Sequence, residues 1–127
     1  MNIPDYIVNT AVDECNNFLS EQNGVLAVVV ASIDGFDIAS AVSRVLDPSR
    51  IAAMASSIAA IGSVVTQEVQ LGSSKSVTVN TEDGFVYICY LELAGNAHVV
   101  NVVADKSAIL AQVIYRCNEM IKRLKSI

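Results

Sequence analysis

The chain reads as an α+β protein: a five-stranded antiparallel sheet with helices on both faces, in the order helix-strand-strand-helix-strand-strand-strand-helix. Three observations carry that expectation. Apolar residues recur at helical spacing near both ends of the chain and in its middle. Short runs rich in β-branched residues fill the intervals. The turns at Asp34-Gly35, Asp83-Gly84 and Gly95-Asn96 are hairpin signals, and connections that short join antiparallel neighbours. At 127 residues the chain makes one domain, 1–127, with a single substantial core.

Over residues 4–22, Ile7, Val8, Ala11, Val12, Cys15, Phe18 and Leu19 follow helical spacing. Asp5, Asp13, Glu14 and Asn17 fall on other faces, and Asn23-Gly24 stops this helix. Residues 25–31 form a continuous Val-rich run, as in a strand covered on both faces and inside the sheet. Residues 36–42 return as the second strand. The middle helix opens at Asp47-Pro48-Ser49, where Asp can cap free N–H groups and Pro suits the first helical position. It closes near Leu71-Gly72. Residues 75–81 alternate, with Val77 and Val79 to one side and Ser76, Thr78 and Asn80 to the other, as in an exposed edge strand. Residues 85–93 and 97–104 complete a meander. Asp105 is placed to cap the last helix, whose stripe is Ile109, Leu110, Val113, Ile114, Cys117, Ile121 and Leu124.

The middle helix is the unusual element. From 51 to 67 it carries no Asp, Glu, Lys, Arg or His. Ile51, Met54, Ala55, Ile58, Ile61, Gly62, Val65 and Val69 form one apolar stripe, the expected core contact. Ala52, Ser56, Ala59 and Ser63 form a second stripe of small residues. A helix of this kind reads as buried on more than one side, and in so short a chain a second copy is the natural cover. Two-fold pairing of the 75–81 edge would also bring two such helices together. The expected dimer interface is therefore Ala52, Ser56, Ala59 and Ser63 with Ser76, Thr78 and Asn80. Gly62 costs the helix about 1 kcal/mol against Ala, which close approach of another backbone would justify. The uncharged run is shorter than the ~20 residues a membrane span needs, and it contains Ser, Thr and Gln, so no membrane insertion is expected.

Composition narrows the function classes. Hydrophobic residues make up 53% of the chain, more apolar surface than a small monomer hides comfortably. The net charge of −5 argues against nucleic acid and anionic membrane. Lys122, Arg123 and Lys125 look like cations at the end of a helix, where they complement its dipole. The first residues show no basic leader followed by an apolar run. Cys15, Cys89 and Cys117 are scattered among apolar neighbours, which reads as buried, reduced thiols and a cytoplasmic setting.

Little here looks catalytic. His98 is the single histidine and reads as structural, so neither a nucleophile–base pair nor a zinc site is supported. Asp34, Asp37, Glu82 and Asp83 are explained by turns, and no glycines form a phosphate loop. No catalytic, cofactor-binding or metal residue is assigned. A small-ligand sensor is a further class, but the sequence offers no convergent polar cluster in an apolar pocket.

Residues 24–40, with the apolar run leading into Asp34-Gly35-Phe36-Asp37, resemble the roadblock/dynein light chain (roadblock/LAMTOR-like) family. So do residues 77–88 around Glu82-Asp83-Gly84-Phe85, and residues 102–111, where a strand runs through Asp105-Lys106-Ser107 towards the last helix. Together with the uncharged helix the resemblance covers nearly the whole chain. It implies a profilin/longin-like sandwich, not an enzyme, that forms a homodimer or a heterodimer with a paralogue. In such dimers the sheet is continuous across the interface and the middle helices lie side by side. It also implies a regulator or scaffold of a small Ras-like GTPase, or else a structural adaptor in a motor, cytoskeletal or signalling assembly. The partner-facing flank it points to is Ala53, Ser57, Ala60, Val64 and Gln67. Arg44 and Arg50 lie near the start of the helix, but no motif marks either as an arginine finger, so any activation is expected to work by positioning the GTPase's own residues.

Overall fold

The computed structural model describes residues 3–43 and 45–127. The elements follow the expected order: α1 (Asp5–Glu21), β1 (Val25–Ser32), β2 (Asp37–Val42), α2 (Pro48–Glu68), β3 (Ser76–Thr81), β4 (Gly84–Leu93), β5 (Asn96–Asp105) and α3 (Leu110–Lys125). The strands form one antiparallel sheet in the order β2-β1-β5-β4-β3. The Val-rich β1 lies inside the sheet and β3 forms an edge, as its alternation predicts. The sandwich is α+β with helices on both faces: α1 and α3 cover one, α2 the other.

Alternation along each strand sorts the core into two layers. Val28, Val30, Tyr87, Cys89, Val100 and Val102 point towards α1 and α3, where they meet Ala11, Cys15, Phe18, Cys117 and Met120. Ala27, Val29, Ala31, Ile88 and Val99 point the other way, towards Ile51, Ala52, Ala55 and Ala59 of α2.

Three local readings change. Asp105 does not cap α3; its Oδ1 accepts from the Ser107 backbone N–H at 2.8 Å and from Ser107 Oγ, closing a tight turn. The helix begins later, with Ile109 in the cap position and no side-chain cap. The middle helix ends at Glu68 rather than near Gly72. Gln70 takes the left-handed conformation (φ 60), and the N–H groups of Gln70 and Leu71 turn back to the carbonyls of Gln67 and Thr66 at 3.1 and 2.9 Å. The third change concerns Glu14, which is buried instead of solvated. It lies 3.0 Å from Arg123 and 3.6 Å from Arg116, while Arg116 reaches Glu21 at 3.1 Å and stacks over the Phe18 ring. Arg123 thus ties α3 to α1 as well as complementing its helix dipole.

At the start of α2 the expected cap is present. Asp47 Oδ1 accepts from the Ser49 N–H at 3.0 Å and from Ser49 Oγ at 2.8 Å, and the Ser49 hydroxyl leads the interactions that hold the Asp47 carboxyl below the ordinary carboxylate range. The thiols of Cys15, Cys89 and Cys117 are free and buried. His98 is wholly enclosed, with Nδ1–H donating to the Asn96 carbonyl at 2.8 Å.

Candidate protein-binding face

Helix α2 meets the sheet through a narrow stripe: Ile51, Ala52, Ala55 and Ala59 are its buried residues. The small residues are what the sheet receives. Ala side chains let the helix lie close, and Tyr90 of β4 fastens it by donating its hydroxyl to the Ala59 carbonyl at 2.6 Å. Gly62 serves the same approach. A Cβ there would stand 2.9 Å from Val77 Cγ2, so the neighbour that requires glycine is a β3 side chain of the same chain, not another backbone.

This packing corrects the expected dimer stripe. Ala52 and Ala59 have no exposed surface and cannot touch a second copy. Ser56 and Ser63 are half-buried; Ser56 lies against Gly35 and Ser63 Oγ is 3.2 Å from Tyr90 Oη. A charge at Ala59 would test the fold rather than assembly. The reason is angular: the small stripe lies between the sheet contact and the β1–β2 turn, away from β3. Of the residues assigned to the core, Ile51 and Ala55 are buried, but three emerge at the surface, with Met54 58%, Ile61 64% and Val65 55% exposed. They line the flank of α2 that overlooks β3, where Val79 is also partly exposed.

On β3, Ser76 and Asn80 are exposed and Thr78 half-buried. They pair with Cys89, Phe85 and Tyr87, so they project on the α3 side while Val77 and Val79 project on the α2 side. The outer edge of β3 has no neighbouring strand among the described residues.

All five residues of the expected partner flank, Ala53, Ser57, Ala60, Val64 and Gln67, are exposed. They occupy the outermost line of α2 and the side facing the β1–β2 turn, where Gly35 packs against Ala53 and Ser56. Sequence reasoning missed Phe36 in that turn. It is 73% exposed and follows Gly35, which packs on this flank, and only its place after a hairpin Asp-Gly marks it as a tip residue. Arg50 is exposed in the first turn of α2, and Arg44 lies outside the described residues.

The outer surface of α2 is thus uncharged and largely apolar from Met54 to Gln67, bounded by Arg50 and Glu68. At 21 residues α2 is also long and apolar enough, by length and composition, to cross a membrane. In this fold one side of it is buried on the sheet. What it offers outward is a rigid, fixed patch suited to another protein surface.

The sequence matches no protein-family model and no curated protein. Solved structures do match. A Roadblock/LC7 domain from Streptomyces avermitilis aligns with a TM-score of 0.80 at 17% identity, over 91% of this chain and 94% of that one. MglB from Myxococcus xanthus aligns with a TM-score of 0.85 at 15% identity, over 99% and 92%. MglC from the same organism aligns with a TM-score of 0.64 at 13% identity, over 92% and 98%. Agreement over nearly the full length of both partners, in element order and in space, shows that this chain has the Roadblock/LC7 fold.

Proposed function

We propose that the chain is a non-enzymatic, dimeric regulator or scaffold of a small Ras-like GTPase, acting in the cytoplasm. The observation that carries the reading is the exposed, charge-free surface of α2, which divides into two flanks of different character. The larger residues Met54, Ile61 and Val65 overlook the unpaired β3 edge, and together these suit a second copy: edge strands pair through backbone, and the bulky flanks meet above them. The smaller residues Ala53, Ser57, Ala60, Val64 and Gln67, with Phe36 at their border, then remain for the GTPase. The GTPase itself is supported by the family resemblance in the sequence. A solved MglB described as having a tetrameric arrangement supports self-assembly within this fold.

The test is capture of purified small Ras-like GTPases on the immobilised chain, loaded in parallel with GDP and a non-hydrolysable GTP analogue. Retention in one nucleotide state, lost in Ser57→Glu and Val64→Glu variants that still fold, is the expected result. Binding indifferent to nucleotide would favour a structural adaptor. No retention in either state overturns the GTPase reading.

A further inference from the structure

We infer that Asn23 is a site of spontaneous chemical modification, at which the side-chain amide is lost as ammonia and the chain is rebuilt as an isoaspartyl or aspartyl link. Asn23 and Gly24 form the turn between α1 and β1. The Gln22 carbonyl accepts from the Val25 N–H across them at 3.4 Å, and Gly24 takes the left-handed conformation (φ 84).

Asn23 is exposed, and neither its side chain nor the Gly24 N–H has a hydrogen-bond partner among the described residues. The two reacting groups therefore stand unprotected: a carboxamide in water and, one residue on, a backbone nitrogen with no side chain to shield it. The reaction needs only water. The Gly24 nitrogen gives up its proton and bonds to Asn23 Cγ, while the Cγ–Nδ2 bond breaks and Nδ2 leaves as ammonia. Water then opens the cyclic imide. Attack at Cγ restores the main chain with Asp in place of Asn. Attack at the backbone carbonyl leaves the main chain running through Cβ and Cγ, one carbon longer, with a new carboxylate beside it. The other described asparagines lie in helices or strands, where the backbone is fixed, and each precedes a residue with a side chain.

The surroundings give the isoaspartyl link a structural effect. A Cβ at Gly24 would stand 2.5 Å from the Ala108 nitrogen, 2.7 Å from Ser107 Oγ and 2.8 Å from Asp105 Oδ1. The Gly24 carbonyl also accepts from the Asp105 N–H at 2.8 Å. Gly24 is thus pressed against the corner between β5 and α3 and has no room for a longer link. The added carbon is taken up towards α1, whose last residue, Glu21, is the 3.1 Å partner of Arg116. This inference stands apart from the GTPase reading, which concerns the outer surface of α2.

The test is incubation of the purified full chain at mildly alkaline pH and physiological temperature, followed by peptide mapping with electron-transfer fragmentation, which separates isoaspartate from aspartate. Expected is conversion at residue 23, mainly to isoaspartate and faster as pH rises, with the other asparagines unchanged. The aged chain should unfold at a lower urea concentration than the fresh one. Asn23→Ser, which keeps a polar turn residue and has no amide to lose, should hold its unfolding midpoint over the same period. Absence of conversion in the folded chain overturns the proposal; conversion of the urea-unfolded chain alone would show that the fold protects the turn. An unchanged midpoint in the converted chain overturns the structural effect, as does an equal decline in Asn23→Ser.

Discussion

The two faces of the sheet are closed by different means. Helices α1 and α3 seal one face with a large, continuous core that includes Phe18, Met120 and Leu124, and a charged cluster of Glu14, Glu21, Arg116 and Arg123 joins the helices at their seam. On the other face a single helix, uncharged between Ile51 and Gln67, lies on the sheet, touches it mainly through alanines, and leaves Met54, Ile61 and Val65 in the open. The first face is finished within the chain. The second is left partly open. The contrast explains where a chain with a 53% hydrophobic composition carries its exposed apolar surface. Its surplus is concentrated on one helix.

Substitutions of similar size on the two faces should therefore differ sharply. Phe18→Ala, at a position with no exposed surface, is expected to lower stability by about 4 kcal/mol in urea unfolding. Glu14→Gln comes next, at about 3 kcal/mol, because it leaves the deeply buried Arg116 with only the more exposed Glu21 as its carboxylate partner. A loss below about 1 kcal/mol would show that the charged seam does not close that face.

Gly62→Ala sets two effects against each other. The helix gains about 1 kcal/mol in propensity, while a methyl 2.9 Å from Val77 Cγ2 overpacks a stiff β-branched neighbour at a cost of about 1–3 kcal/mol. A net loss of about 1 kcal/mol is expected; a net gain would mean that α2 rides more loosely on β3 than its contacts indicate. Ile61→Glu, on the open flank, should change the stability of the single chain by less than about 0.5 kcal/mol, apart from whatever dimerisation adds to the parent by mass action. Light scattering is expected to give a dimer for the parent chain, as proposed, and a monomer for this variant. A variant that remains dimeric would place self-association elsewhere.

The sealed face also predicts an alkaline limit. Burial, followed by the charge of Glu14, pushes the Cys15 thiol up from 9.0 to about 12. The folded state favours the neutral thiol, so this contribution is complete below pH 9.0 and is lost as pH rises towards 12. Cys117 adds in the same direction, raised by its hydrogen bond with Cys89 and by burial. Urea titrations on either side of that window should show Cys15→Ala with a shallower alkaline decline than the parent chain. Parallel declines would mean that the thiol is not protected by the fold.

Much of this architecture is legible in the chain because its signals are local. The Val-rich run of β1, the polar–apolar alternation of β3, the Asp-Gly turns and the Asp47-Pro48-Ser49 start each declare an element within a few residues. Strand alternation alone fixes which side chains share a face. The uncharged middle helix likewise announces an apolar surface. Its rotation is another matter. Ile51, Met54, Ala55, Ile58, Ile61, Gly62, Val65 and Val69 look like the core stripe, and Ile51 and Ala55 are buried, yet Ala52 and Ala59 share the sheet contact while Met54, Ile61 and Val65 stay exposed, because Tyr90 and Val77 demand a close approach that only small residues and Gly62 allow. The cluster that buries Glu14 joins residues from opposite ends of the chain, and the corner that holds Gly24 is built from Asp105, Ser107 and Ala108. Periodicity reports what a segment can bury. Which side it buries, and what it leaves open, is decided by the shapes it meets.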